Sequence, residues 1–160
     1  LKHPHKIAWI QCNDLRFVLP EANHFCSSVC YDYTQKLVIL TKDHDPDAEC
    51  TVFFIDIRSH GKDFERFFQR MSKLPKTRFI RSAVTIVGEN PVNKNLILRY
   101  ATFDVGTVDE EFDMFVLSII GLNPPKANKK FSEIMGIELN EYGFRYTNET
   151  SPVETNINGN

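Results

Sequence analysis

Three short apolar runs, separated by stretches of helical period, constrain this chain more than any other feature. "KIAWIQ" (6–11), "CTVFFIDI" (50–57) and "TRFIRS" (77–82) have the length and composition of buried strands. From Ser27, Val29, Tyr33, Leu37 and Leu40 recur at three- and four-residue spacing, with Cys30, Thr34 and Val38 alongside. After Gly61, Phe64, Phe67, Phe68 and Met71 occupy positions i, i+3, i+4 and i+7. That second stripe reads as a core-facing seam rather than a cofactor box. Pro46, among clustered Asp residues, ends the first helix, and Pro75 closes the second. Strands joined through helices must run parallel and bury both faces.

The rest of the pattern adds a small antiparallel element. "VTIVGENPVNKNLILRYA" predicts a hairpin around a polar turn at Gly88–Asn95, and "EEFDMFVLSII" (110–120) a further buried strand. After the breaker "GLNPP" a short helix is expected over 127–135, with Gly136 at its end. The expected fold is α/β: three layers, with a parallel sheet and a small antiparallel hairpin layer over one face. One domain is expected over 1–146. The polar tail 147–160 is expected to lead into a further segment, and the absence of an initiating Met suggests a fragment.

A net charge of −2 gives no electrostatic reason to expect nucleic acid or an anionic membrane as partner. No apolar run is long enough to span a bilayer, the longest being "MFVLSII" at 114–120, and "LKHPHK" lacks the apolar core of a signal peptide. Four cysteines in a chain with a sizeable core do not require disulfides, so a reduced, cytoplasmic setting is expected. The sequon at 148–150 means little without a secretory context.

A βα turn that binds a dinucleotide needs glycines, so that backbone N–H groups can approach the pyrophosphate. None occurs in residues 1–60. Asp56, ending the second strand, resembles a ribose-binding carboxylate, but it stands too far along from Cys12, and pairing with Arg58 is the simpler reading. At the tip of the first strand stands Cys12, and Cys26 and Cys30 straddle the start of the next helix. Open α/β folds place ligands there, and a helix N-terminus favours thiolates. Three soft ligands converging on one point suit an iron–sulfur cluster or zinc. Yet C-x(13)-C-x(3)-C matches no standard spacing, so buried structural cysteines remain the competing reading. Cys50, at a strand start, reads as structural, and His24 as an exposed loop residue.

"KIAWIQC", "FCSSVCYDYTQK", "DHDPDAECTVFFIDIRSHGKDFERFFQRM", "TRFIRS", "NLILRY", "EEFDMFVLSIIGLNPP", "GIELNEYGF" and "SPVET" follow one another in order. Together they resemble the A subunit of heterodisulfide reductase and its relatives in quinone-interacting membrane-bound oxidoreductase complexes. The resemblance implies a Rossmann-like domain of the pyridine nucleotide-disulfide oxidoreductase type, similar to that of thioredoxin reductase. It also implies a flavoprotein of anaerobic metabolism that uses FAD and a [4Fe–4S] cluster for electron transport.

In that family a cysteine after the first strand and a C-x(3)-C-C motif hold the cluster. Residue by residue, Cys12, Cys26 and Cys30 match three ligands, while Tyr31 stands at the fourth position. His24, Asp14, solvent or a partner would then complete a four-iron site, the alternatives being a three-iron cluster or none. The helix start at Ser27–Ser28 would supply N–H donors to the cluster, and Arg58 and His60 would help shape the same mouth.

FAD is expected in the intact parent but not in this piece, which alone is expected to be inactive. The implied partners are the parent's FAD-binding segments and other redox subunits, with no nucleic acid and no direct membrane insertion. Two other readings stay open. One is a degenerate scaffold that docks neighbouring subunits; the other is a Cys26–Cys30 dithiol.

Overall fold

The structure, a computed structural model, describes residues 3–12, 24–118 and 122–157. It divides into two compact units, residues 1–121 and 122–160. The first contains β1 (Lys6–Gln11), α1 (Cys30–His44), β2 (Glu49–Phe54), α2 (Phe64–Ser72), β3 (Thr77–Arg81), β4 (Val84–Glu89), β5 (Leu96–Thr102), β6 (Gly106–Phe112) and β7 (Met114–Ser118). The second contains α3 (Lys126–Met135).

The parallel sheet runs β3-β2-β1-β7, and β1 pairs on both sides, Trp9 lying between Val52 and Val116. A strand flanked on both edges and covered on both faces has no wet side. This is why β1 reads as a continuous apolar run rather than an alternation. Successive side chains sort to opposite faces. Ile7 and Trp9 join Cys50, Val52, Tyr31, Val38 and Met71 on the helix side, while Ala8, Ile10 and Phe53 pack with Leu98, Tyr100 and Phe112 on the other. There Phe53 sits 4.8 Å from the Tyr100 ring and 6.0 Å from Phe112. Such aromatic pairs add about 0.5–1.5 kcal/mol each beyond their area. The layers are helices, parallel sheet and antiparallel sheet, the three-layer α/β arrangement expected.

Two details differ from expectation. The antiparallel layer is a three-stranded sheet, β4-β5-β6, rather than a hairpin. The expected single strand over 110–120 divides at Asp113 into β6 of one sheet and β7 of the other; residues 119–120 lie outside the described residues. Asp113 makes the corner. Its N–H donates to the Lys6 carbonyl at 2.9 Å, and its Oδ2 accepts the N–H groups of His5 and Lys6, each at 2.8 Å.

Helix α1 also departs from the pattern. It begins at Cys30 rather than Ser27, and its buried face is Cys30, Tyr31, Thr34, Gln35, Val38 and Lys42. Tyr33, Leu37 and Leu40 of the expected stripe are 51, 43 and 42% exposed. The adjacent stripe wins because Tyr31 and Val38 fill the core over β1 and β2, and Lys42 folds inward to donate to the carbonyls of Pro46 and Ala48.

In the second unit α3 stops at Gly136, whose φ of 65° is the left-handed conformation glycine adopts without cost. Beyond it Asn156 donates to the Gly136 carbonyl at 2.9 Å and accepts the Glu138 N–H at 3.0 Å. Among the described residues no helix is long and apolar enough to cross a membrane.

Candidate metal centre

Cys12 follows the last residue of β1 with a φ of 57°, a left-handed turn uncommon for a residue with a side chain. That turn ends the strand, and the Cys12 side chain is buried. Its neighbour Gln11 pairs with Ser118 of β7. The Ser118 hydroxyl lies 2.8 Å from that of Thr34, which donates to the Cys30 carbonyl at 3.1 Å. The tip of β1 and the first turn of α1 are therefore tied together through β7.

On the approach to α1, Ser28 also has a left-handed φ, 58°. Its N–H donates to Cys26 Sγ at 3.4 Å, and the Cys30 N–H reaches Ser27 Oγ at 3.4 Å. Burial pushes the Cys30 thiol up from its ordinary pKa; the Ser27 hydrogen bond opposes this, while Cys12 and Cys26 add to it through their charge. Cys12 and Cys26 are thus close enough to act on Cys30. The expectation that the helix start would favour a thiolate at Cys30 is overturned, because desolvation outweighs the hydrogen bond there. All four cysteines are free thiols.

Tyr31 is committed elsewhere. Its ring packs edge-on against Phe68 of α2 at 5.8 Å in the helix-side core, and burial raises its hydroxyl's pKa, with Glu65 and Asp32 adding to the shift. Cys50 lies fully buried in the same core, its thiol pushed up to about 11 by burial. His24 is exposed, and Asp14 lies outside the described residues. Asp56 pairs with Arg58 at 3.2 Å, as its simpler reading had it.

Polar residues, of which the sequence singled out only Tyr31 and Arg58, gather at the same end of the sheet. Gln11 Nε2, both amide atoms of Gln35, Tyr31 OH, Asp32 Oδ1, Arg58 Nε and Ser59 Oγ are buried without a hydrogen-bond partner. Asp32, its carboxyl raised by burial, feels the charge of His60, which sets the loop after β2 against the first turn of α1. Buried groups of this kind are expensive and concentrate where a ligand or function repays them. The available signal was Thr34-Gln35, a polar pair between Tyr31 and Val38 on the buried helix face.

For an iron–sulfur cluster the donor set fits at three positions. Cys12 and Cys26 act on Cys30, Cys26 accepts a backbone N–H, and metal binding would deprotonate the Cys30 thiol, whose pKa burial raises. At the fourth position the Tyr31 ring packs into the helix-side core, with its hydroxyl buried and without a hydrogen-bond partner.

No family model matches the chain. Curated relatives do. The iron–sulfur A subunit of the CoB–CoM heterodisulfide reductase of Methanocaldococcus jannaschii is 36% identical over 99% of the chain. The A subunit of the H(2):CoB-CoM heterodisulfide,ferredoxin reductase of Methanothermobacter thermautotrophicus is 35% identical over 88%. The chain spans 24 and 21% of their lengths, respectively. In fold it is similar to the thioredoxin reductase of Lactococcus lactis, with a TM-score of 0.53 at 17% identity, covering 95% of this chain and 41% of that one. Over nearly its whole length the chain is a homologue of one segment, about a quarter, of the heterodisulfide reductase A subunit.

Proposed function

We propose that this chain is the cluster-bearing segment of a flavin-dependent, heterodisulfide-reductase-like redox subunit, in which Cys12, Cys26 and Cys30 hold an iron–sulfur cluster. The observation that carries the reading is the placement of three free thiols at one end of the sheet, Cys12 at the tip of β1 and Cys26 and Cys30 at the approach to and start of α1. That is where open α/β sheets bind ligands. The Methanocaldococcus jannaschii relative, an iron–sulfur subunit by name, supports it. When bound, the cluster would accept and pass on single electrons. The Ser28 N–H bond to Cys26 Sγ would stabilise added negative charge on the sulfur. The wall of Trp9, Tyr31 and Phe68 would limit water on one side.

FAD would be held by other segments of the full-length protein, within an assembly of several subunits. The placement of Tyr31 in the core favours one second reading, a scaffold that has lost its cluster and docks partners.

The chain, purified anaerobically and reconstituted with iron and sulfide, is expected to retain both near-stoichiometrically and to absorb broadly near 400 nm. Cys30→Ser is expected to lose most of the iron while keeping its far-UV circular dichroism. A folded, colourless wild type without iron would leave the scaffold reading standing.

A further inference from the structure

At the opposite end of the parallel sheet from the thiols, three potential metal ligands meet on the surface. His3 and His5 flank Pro4, two residues apart just ahead of β1. Pro4 restricts the backbone of His3, and the two imidazoles stand 5.5 Å apart. His5 is pinned through its backbone, its N–H to Asp113 Oδ2 at 2.8 Å and its carbonyl to the Glu49 N–H at 2.7 Å. Asp45 caps the C-terminus of α1, its own N–H bonded to the Thr41 carbonyl at 2.8 Å. One carboxylate oxygen, Oδ1, accepts the Asp47 N–H at 3.1 Å. The other, Oδ2, is buried and has no hydrogen-bond partner.

That oxygen faces both rings, 3.6 Å from His3 Nδ1 and 3.8 Å from His5 Nδ1. These separations are too long for hydrogen bonds. They lie close to the edge of a coordination tetrahedron. With metal–nitrogen and metal–oxygen bonds of about 2.0–2.2 Å, neighbouring ligands sit about 3.3–3.5 Å apart. All three ligand atoms lie within 4.8 Å of one another. The two separations to Asp45 need to close by only a few tenths of an ångström, the two imidazole nitrogens by no more than about 1.5 Å, and the rings that must move are 69 and 75% exposed.

We propose that His3 Nδ1, His5 Nδ1 and Asp45 Oδ2 bind a divalent transition-metal ion of the zinc class. Two imidazoles and a carboxylate suit zinc, nickel or cobalt better than calcium or magnesium, which prefer all-oxygen shells. A fourth position stays open toward the adjoining groove of about 380 Å³, lined by Pro4, Leu37, Leu40, His44 and Met114. The ion ties the segment ahead of β1 to the end of α1. It joins residues that meet only in the folded chain, so its binding adds to stability as the logarithm of metal concentration once that exceeds the dissociation constant. Nothing in this site depends on the cysteines.

The test is an anaerobic titration of the reduced chain with Zn²⁺, followed by NMR of the histidine ring protons, with Co²⁺ absorption as a second readout. His3 and His5 resonances are expected to shift together and saturate at one equivalent beyond any metal taken up by the cysteines. Cobalt at this site is expected to show weak d–d bands without the intense thiolate charge-transfer band of a cysteine site. His3→Gln, His5→Gln and Asp45→Asn should each weaken that binding at least tenfold, and Cys30→Ser should leave it unchanged. Histidine resonances that do not move, or an affinity unaffected by the three substitutions, would overturn the proposal whether or not the cluster reading holds.

Discussion

The two ends of the parallel sheet handle buried polar groups in opposite ways. At the N-terminal end Glu110 receives Lys6 at 2.8 Å and both Arg78 and Tyr100 at 2.7 Å, and Lys42 is bonded to two carbonyls. The exception there is Asp45 Oδ2, the oxygen assigned to a metal. At the C-terminal end Gln11, Gln35, Asp32, Arg58 and Ser59 keep buried polar atoms without partners, beside three free thiols. Saturated groups hold layers together; unsaturated ones cost stability and invite a ligand. The contrast separates the end that supports the fold from the end proposed to work.

The contrast can be attacked first where it predicts the largest loss. Lys42→Met removes the donor shared by the Pro46 and Ala48 carbonyls and leaves buried acceptors bare. It is expected to cost about 2–4 kcal/mol, read from the denaturant midpoint. A loss below about 1 kcal/mol would mean that this end is not held by its polar bonds.

Glu110 sharpens the same point through pH. Burial raises its pKa, but the bonds from Lys6, Tyr100 and Arg78 outweigh burial and hold it below the ordinary carboxylate range. A depressed folded pKa stabilises above the unfolded value, about 4.3, and this stability is lost as pH falls through the folded value. Glu110→Gln is therefore expected to cost about 1–3 kcal/mol at pH 7, since charge-assisted bonds are replaced by neutral ones. The gap from wild type should shrink below about pH 4. A gap independent of pH would show that shape, not charge, sets the cost.

How much of this was legible in the sequence follows from range. β1 and β2 could be read because double burial makes a strand uniformly apolar, β3, at the sheet edge, only through its Phe79–Ile80 pair, and the turn of the β4–β5 hairpin announces itself through Gly88, Asn90 and Pro91. The Asp113 corner could not, since its partners, the backbone N–H groups of His5 and Lys6, lie over a hundred residues away. The face of α1 was misjudged because periodicity shows several apolar stripes without saying which meets β1. Cys12, Cys26 and Cys30 were legible as residues of a strand tip and a helix start. That desolvation would dominate Cys30 was not, because burial is a property of the assembled layers. His3 and His5 carried no signal, since their third ligand, Asp45, arrives from the far end of α1.

The smallest effect is also the most pointed. Gln35 is fully buried, and neither its amide oxygen nor its nitrogen has a partner. Replacing it by leucine keeps roughly the volume and removes two desolvated polar atoms from the core. An ordinary buried glutamine, bonded at both ends, would lose about 1–2 kcal/mol on such a change. Here Gln35→Leu is expected to be neutral or to stabilise the ligand-free chain by up to about 1 kcal/mol. Thermal unfolding of the two proteins side by side decides it. A gain would mean that the chain keeps an unfavourable glutamine one turn beyond Cys30 at the expense of stability, as sites that serve a ligand do. A loss above about 1 kcal/mol would mean that Gln35 finds partners in solution, and that the two ends differ less than their hydrogen bonds indicate.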